Sequence, residues 1–373
     1  MTVPAYPTLA GLRRTGRLRT SWETWFPFTA PRGWAFSGRV ALYHGVRSLG
    51  LPPDSTILVP AYHEGVELDA LLAAGCRVRH YRVDQGLRID LEDVERRLDS
   101  SVAALYVIHY FGLPQPLPAL RAFCDRHGIR LIEDCALALF SKSNGTWLGS
   151  VGDMSIFSLY KTLPLPHGGY LVSKQPSWAL RAPPAMSTLV QTLDLVHHTL
   201  QANGFSGVER AATRASGFVK RLLGWQRQTT VSSGGSQWDA RLVGYGVSRW
   251  TRQLVRFTNP ARVIARRRAN YERLVSWLRP YTPIPFPQLP PGACPLLLPI
   301  LIPHRAQAQS QLEALGVQSG NFWPTSHATC PPELAAEVAP WRERCLELPI
   351  HQELSETDID RVARAVIDVL TRH

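Results

Sequence analysis

Between residues 57 and 134 the chain repeats one pattern: a short apolar run, a stretch with helical spacing, then another apolar run. Ile57-Leu58-Val59-Pro60 reads as a strand, Ala61-Tyr62-His63-Glu64-Gly65 as the turn out of it, and 66–74 as a helix. A strand over 78–83 follows, then a helix opened by Asp90, a strand over 104–108, a helix over 117–127 and a strand over 129–134. Short apolar runs joined by helical crossovers imply an α/β fold, a mostly parallel sheet with helices on both faces. With 373 residues and 45% hydrophobic content, the chain is long enough for one large domain, expected over 1–258, and a smaller carboxyl-terminal one over 259–373.

Ligands in such folds bind beyond the carboxyl ends of the strands. The apolar run over 154–160 reads as a short buried strand, stopped by Pro164, Pro166, Gly168 and Gly169, and Lys161 stands where it empties. Lysine is scarce: the others are Lys142 in a polar turn, Lys174 after a strand and Lys220 in a basic helix. Arginine keeps its proton at any working pH, whereas a partly desolvated lysine loses one and attacks a carbonyl. Lys161 is therefore the candidate for holding a carbonyl cofactor. The strand over 129–134 ends in Glu133 and Asp134, which point to opposite faces, one available to a pocket and one to structure. A carboxylate beside a pyridine ring keeps the ring nitrogen protonated and the ring an electron sink. Ser37 caps a helix whose first turn, Gly38 and Arg39, presents amides suited to phosphate.

The net charge of +12 comes from arginines spread along the chain, apart from Arg266-Arg267-Arg268, and no nucleic-acid-binding motif accompanies it. Six cysteines form no CxxC pair and no spacing suited to zinc, so reduced thiols and no metal site are expected. No apolar run is long enough to span a bilayer, and the first 20 residues lack a signal peptide's apolar core; a cytoplasmic location is expected.

Taken in order, Pro60-Ala61-Tyr62, His109-Tyr110-Phe111-Gly112, Ile132-Glu133-Asp134-Cys135-Ala136, Leu148-Gly149-Ser150-Val151-Gly152-Asp153, Phe157-Ser158, Gly168-Gly169 and Leu348-Pro349-Ile350-His351 resemble the landmarks of the DegT/DnrJ/EryC1/StrS sugar aminotransferases. The resemblance runs from about Phe36 onward and leaves 176–237 without a counterpart. It implies a fold-type-I transferase that uses pyridoxal phosphate and works as a homodimer with shared active sites. It further implies amino transfer from an amino acid to a keto group, most readily that of a nucleotide-linked sugar. Lys161 would hold the cofactor aldehyde and move the substrate proton, Asp134 would bind the pyridine nitrogen, and Ser158 with Ser37, Gly38 and Arg39 would hold the phosphate. Tyr245, in Gly244-Tyr245-Gly246-Val247-Ser248-Arg249, matches a loop that reaches the neighbouring subunit's site, although Gly246 replaces its usual Asn.

Two departures face the cofactor. Glu64 stands where the family commonly stacks an aromatic residue on the ring, which leaves His63 or Tyr62 to turn inward, and Leu137 replaces the usual Gln or His. They keep open a pyridoxal phosphate enzyme of different outcome (dehydratase, decarboxylase or aldolase), and a non-catalytic relative serving as an interaction scaffold. Beyond the core, 189–193 and 218–225 have helical spacing within the insertion, and 230–236 reads as a Ser/Gly loop. A long helix starts at Asn259-Pro260. It is followed by strands over 295–302 and 317–323, a helix over 305–315 and a last helix capped at Ser355. Trp323-Pro324 and His327 stand where the resembled family has a substrate-side loop, and His327 reads as a surface histidine.

Overall fold

The structure, a computed structural model, describes residues 2–8, 32–173, 180–202 and 238–371. Its centre is a seven-stranded sheet built from β1 (Arg32–Ala35), β2 (Thr56–Pro60), β3 (Arg77–Tyr81), β4 (Val102–Ile108), β5 (Arg130–Asp134), β8 (Met154–Ser158) and β9 (Gly169–Ser173), in the order β1-β9-β8-β5-β4-β2-β3. The five strands from β8 to β3 run parallel, as the crossovers α1 (Gly38–Ser48), α2 (Val66–Ala73), α3 (Leu91–Arg96) and α4 (Leu117–His127) require. On the other side, β9 and β1 add antiparallel, and a two-stranded hairpin of β6 (Lys142–Ser143) and β7 (Thr146–Trp147) stands apart. Strands β2, β8 and β9 are buried at every residue, which is why 57–60 and 154–160 read as short apolar runs.

Local signals set the helix ends. Ser37 Oγ accepts the Val40 amide at the start of α1, and Asp90 accepts the Asp93 amide at the start of α3. The chain turns from β1 into α1 directly over β9. There a Cβ on Gly169 would lie 2.1 Å from the Ser37 carbonyl oxygen, so only glycine permits the approach.

The strand expected over 154–160 ends at Ser158. Leu159 donates its amide to Gly168 and Leu163 donates to Leu159, closing one helical turn, α5 (Leu159–Thr162). Lys161 thus sits on a helical turn that follows the strand. Helix α6 (Ala185–Ala202) contains 189–193, whereas 218–225 and 230–236 lie outside the described residues. After α7 (Arg249–Val255), the long helix α8 (Pro260–Leu278) begins at Asn259, whose side chain accepts the Arg262 amide.

The carboxyl-terminal part holds an antiparallel sheet of β10 (Leu298–Leu301), β12 (Cys345–Leu348) and β11 (Gly320–Asn321), with helices α9 (Arg305–Ala314), α10 (Pro332–Glu337), α11 (Ala339–Arg344) and α12 (Glu356–Thr371). The strand expected over 317–323 shrinks to β11, because Phe322 and Trp323 stack on each other and join the aromatic cluster around Phe111 and Trp341. The apolar interior forms two clusters. One underlies the large sheet and takes in Phe322, Trp323 and Trp341; the other joins α8, α9 and α12 to the small sheet. Among the described residues no helix is long and apolar enough to cross a membrane.

Candidate active site

Strand alternation and register create the site. Ile108 pairs with Asp134, and Asp134 with Ile156, so Tyr106, Asp134, Ile156 and Ser158 share one face of the sheet. Glu133 and Val107 share the other. The Glu133 carboxylate accepts amides from Gly149 (2.8 Å), Val151 (2.9 Å) and Gly152 (2.6 Å) and pairs with His109 Nε2 at 3.1 Å. Burial works against its charge, but His109 and the amides outweigh burial and hold it below the usual glutamate range. The two acids at the end of β5 are therefore divided, Glu133 to structure and Asp134 to a cleft.

That cleft is lined by Gly38 and Arg39 from α1, Glu64, Val66 and Glu67 after β2, Tyr106, Asp134, Leu137, Ser158, Tyr160, Lys161 and Trp323. Asp134 accepts the Tyr106 hydroxyl and the Ala136 amide (2.7 Å). Burial nevertheless raises its pKa, against the pull of those bonds and of Lys161. Lys161 Nζ lies 3.6 Å from Glu64 Oε2. Burial favours the neutral amine, but Glu64, then Tyr160, Asp134 and Glu67, outweigh it and hold the ammonium above the ordinary lysine range. The depression that desolvation alone implies is thus reversed by neighbouring carboxyls. Glu67 accepts the amides of Glu64 (2.9 Å) and Gly65 (3.1 Å), yet burial and the nearby Glu64 push it up to about 8.

Of the residues singled out from sequence, the structure brings Gly38, Arg39, Asp134, Ser158 and Lys161 together in this cleft. Ser37 sits beside them as the α1 cap, its hydroxyl already engaged by Val40. His63 does not turn inward. Its ring lies 5.1 Å from that of His80, fully buried and without a hydrogen bond to either nitrogen. Burial, then the Arg342 guanidinium, hold it well below the usual histidine range. Tyr62 also faces away, packing on Tyr110, Phe322 and Trp323. The backbone after β2 leaves Glu64 as the side chain directed at Lys161, which corrects the expectation of a ring from His63 or Tyr62 at that place. Tyr245 lies outside the cleft formed by this chain, its carbonyl accepting the Phe36 amide. His327 is half-buried, with Nε2 3.3 Å from Asp69.

Glu67 and Tyr106 also line the cleft and were not singled out from the sequence. Tyr106 was findable, since it stands two residues before the end of β4 on the face that Asp134 shares. Trp323, which the family resemblance put on a substrate-side loop, lines the cleft with a positive φ of 45° and its ring stacked on Phe322.

Two fully or nearly buried arginines hold the walls of the cleft. Arg267, on α8, bonds the carbonyls of Thr162 (3.1 Å), Pro295 (3.2 Å) and Leu296 (2.7 Å) and the side chain of Gln352 (2.7 Å). Arg342, on α11, bonds the carbonyls of Ala61 (3.0 Å), His63 (3.1 Å), Trp323 (3.0 Å) and Thr325 (2.5 Å).

The model of the DegT/DnrJ/EryC1/StrS aminotransferase family matches residues 35–222. GDP-perosamine synthase of Vibrio cholerae is 31% identical over 140 residues, which is 37% of this chain and 38% of that protein. A dTDP-4-dehydro-2,3,6-trideoxy-D-glucose 4-aminotransferase of Saccharopolyspora spinosa is 28% identical over 345 residues, 88% of this chain and 81% of that protein. Among solved structures, DesV of S. venezuelae matches with a TM-score of 0.68 at 20% identity over 100% of this chain and 99% of that one. Helicobacter pylori PseC, an aminotransferase involved in the biosynthesis of pseudoaminic acid, matches with a TM-score of 0.69 at 14% identity over 100% of both chains. They share its fold, the fold-type-I arrangement that the sequence led one to expect. This chain belongs to the DegT/DnrJ/EryC1/StrS aminotransferase family.

Proposed function

We propose that the protein moves an amino group, by way of pyridoxal phosphate, from an amino acid to a keto group, that of a nucleotide-linked sugar. The observation that carries the reading is that one buried amine, Lys161, and one buried carboxyl, Asp134, share a cleft whose rim holds Ser158 and the first turn of α1. That donor set fits the cofactor: an amine for its aldehyde, a carboxyl for its ring nitrogen, and a hydroxyl, amides and Arg39 for its phosphate. The names of relatives that act on GDP-, dTDP- and UDP-linked sugars support the substrate class.

When bound, the cofactor supplies an electron sink for the charge left as a proton departs from the substrate carbon. The chain supplies the rest. Asp134, oriented by the Tyr106 hydroxyl and the Ala136 amide, would hold the cofactor's ring nitrogen, and its ionised form would be favoured by that partner against the cost of burial. Lys161 carries the proton between substrate carbon and solvent side, held in place by the α5 turn. Leu137 and Trp323 keep the cleft apolar on the sides that carry no charge.

Borohydride reduction of protein loaded with pyridoxal phosphate, followed by peptide mass spectrometry, should place the cofactor on Lys161. Its appearance on another residue, or on none, would defeat the proposal. Glutamate with a nucleotide-linked keto sugar should then yield 2-oxoglutarate. A different outcome on the same cofactor is favoured by Leu137 and Glu64 in the cleft; it predicts a reducible cofactor on Lys161 but no 2-oxoglutarate. We also infer a homodimer in a cytoplasmic setting. Trp250 and Phe257, 49% and 43% exposed close to the Tyr245 loop, support the dimer, and light scattering during size-exclusion chromatography tests it.

A further inference from the structure

Three carboxyl groups face Lys161 across the cleft, and they are not equivalent. Asp134 is committed to the Tyr106 hydroxyl and the Ala136 amide. Glu67 is committed to the amides of Glu64 and Gly65. Glu64 has Lys161 as its polar side-chain contact among the described residues, at 3.6 Å, and its side chain retains 18% of its exposure where that of Lys161 retains 8%. A buried amine that must gain and lose a proton needs a partner close enough to receive it and open enough to pass it to water. Only Glu64 among the three meets both conditions.

We propose that Glu64 is a further catalytic residue, the carboxylate that holds the proton on the Lys161 nitrogen and receives it when that nitrogen must be neutral. In the transfer the N–H bond of Lys161 breaks, an O–H bond forms on Glu64, and the proton leaves from Glu64 to solvent; the reverse path restores it. The position that commonly carries a stacking ring in the family thus carries an acid–base group here. Glu67 positions it: the Glu67 carboxyl pins the backbone at Glu64 and Gly65, so the Glu64 side chain is free to turn while its Cα is fixed. The other groups facing Lys161 are Tyr160 on its own turn, Tyr106 on β4, Asp134 on β5, Arg39 on α1, and behind it Glu347 on β12, which accepts the Tyr6 hydroxyl at 3.0 Å. None of these combines contact with Nζ and an opening to water.

The inference rests on the proposed cofactor chemistry, and two measurements separate the failures. In the first, the wild type, Glu64→Gln and Glu64→Asp are loaded with pyridoxal phosphate and the visible band is titrated with pH. The band changes as the Lys161-linked nitrogen loses its proton. Removing an opposite charge at ion-pair distance should lower the midpoint by about one pH unit or more in Glu64→Gln. Glu64→Asp should fall between. Coincident midpoints for Glu64→Gln and wild type would overturn the proposal. If the wild type shows no reducible band, the functional reading fails, and the second measurement still decides. There the cofactor-free proteins are acylated with acetic anhydride across a pH series and Lys161 is followed by peptide mass spectrometry. Half-modification at lower pH in Glu64→Gln supports the pairing; an unchanged profile overturns it.

Discussion

A carboxyl that keeps its proton to about pH 8 has a consequence for the stability of the whole chain. In the unfolded chain Glu67 ionises near its ordinary value of 4.5, while in the folded state burial delays ionisation to about 8. The folded form therefore binds more protons between those values, and the contribution of Glu67 to stability is complete below pH 4.5 and is lost as the pH rises through about 8. Glu67→Gln should flatten that decline. The amide replaces one of the two oxygens that accept from Glu64 and Gly65, so the variant should also be less stable at low pH. Urea midpoints at pH 5 and pH 8 for both proteins check the two effects; parallel declines would contradict the assignment. Lys161 shows why composition alone misleads at this scale. Burial by itself lowers a lysine, and the direction here is set by Glu64 first and then Tyr160, Asp134 and Glu67, of which Glu64 and Glu67 lie far from it in sequence.

At the level of elements, the junction of β1, α1 and β9 aims the first turn of α1 at the cleft. Gly169 makes that junction possible, since any side chain there meets the Ser37 carbonyl. Gly169→Ala should displace the α1 terminus and weaken pyridoxal phosphate binding at least tenfold, read from the absorption of the bound cofactor during dialysis. Ser37→Ala removes only the cap and should lower stability by about 1 kcal/mol, measurable as a shift in the urea midpoint, with cofactor retained. Much of this architecture was legible in the sequence. The short apolar runs of β2, β4 and β5 and the caps Asp90, Asn259 and Ser355 are short-range signals that survive in one dimension. What was not legible depends on contacts far along the chain: the closing of α5 by the Gly168 carbonyl, the loss of strand at Phe322 and Trp323 to an aromatic stack, and the outward turn of His63 against His80. The apolar stripe of α8 was readable, yet the buried Arg267 and Asn270 on the same face were not, because their partners are carbonyls on other elements.

At the scale of the molecule, four of the five histidines buried among the described residues bear on the behaviour in acid. Burial holds His63 well below 6.5, His80 and His167 at about 4 and His351 at about 3. The unfolded chain protonates these rings near pH 6.5, so the stability they contribute is complete above that value and is lost as pH falls toward 4 and below. Thermal unfolding followed by circular dichroism should show a melting temperature that drops steadily from pH 7 to pH 5, and a flat profile would count against four neutral rings. The two walls of the cleft are tied together by Arg342, and Arg342→Lys, which leaves carbonyls without donors, should lower stability by about 2 kcal/mol or more in urea titration. The guanidinium holds carbonyl oxygens, groups that every kind of residue carries. Exchanging the side chain at exposed Thr325 leaves that grip unaltered. Point changes in side chains along the rim can thus alter its chemistry, while the distance between Lys161 and the wall opposite stays fixed by main-chain oxygens.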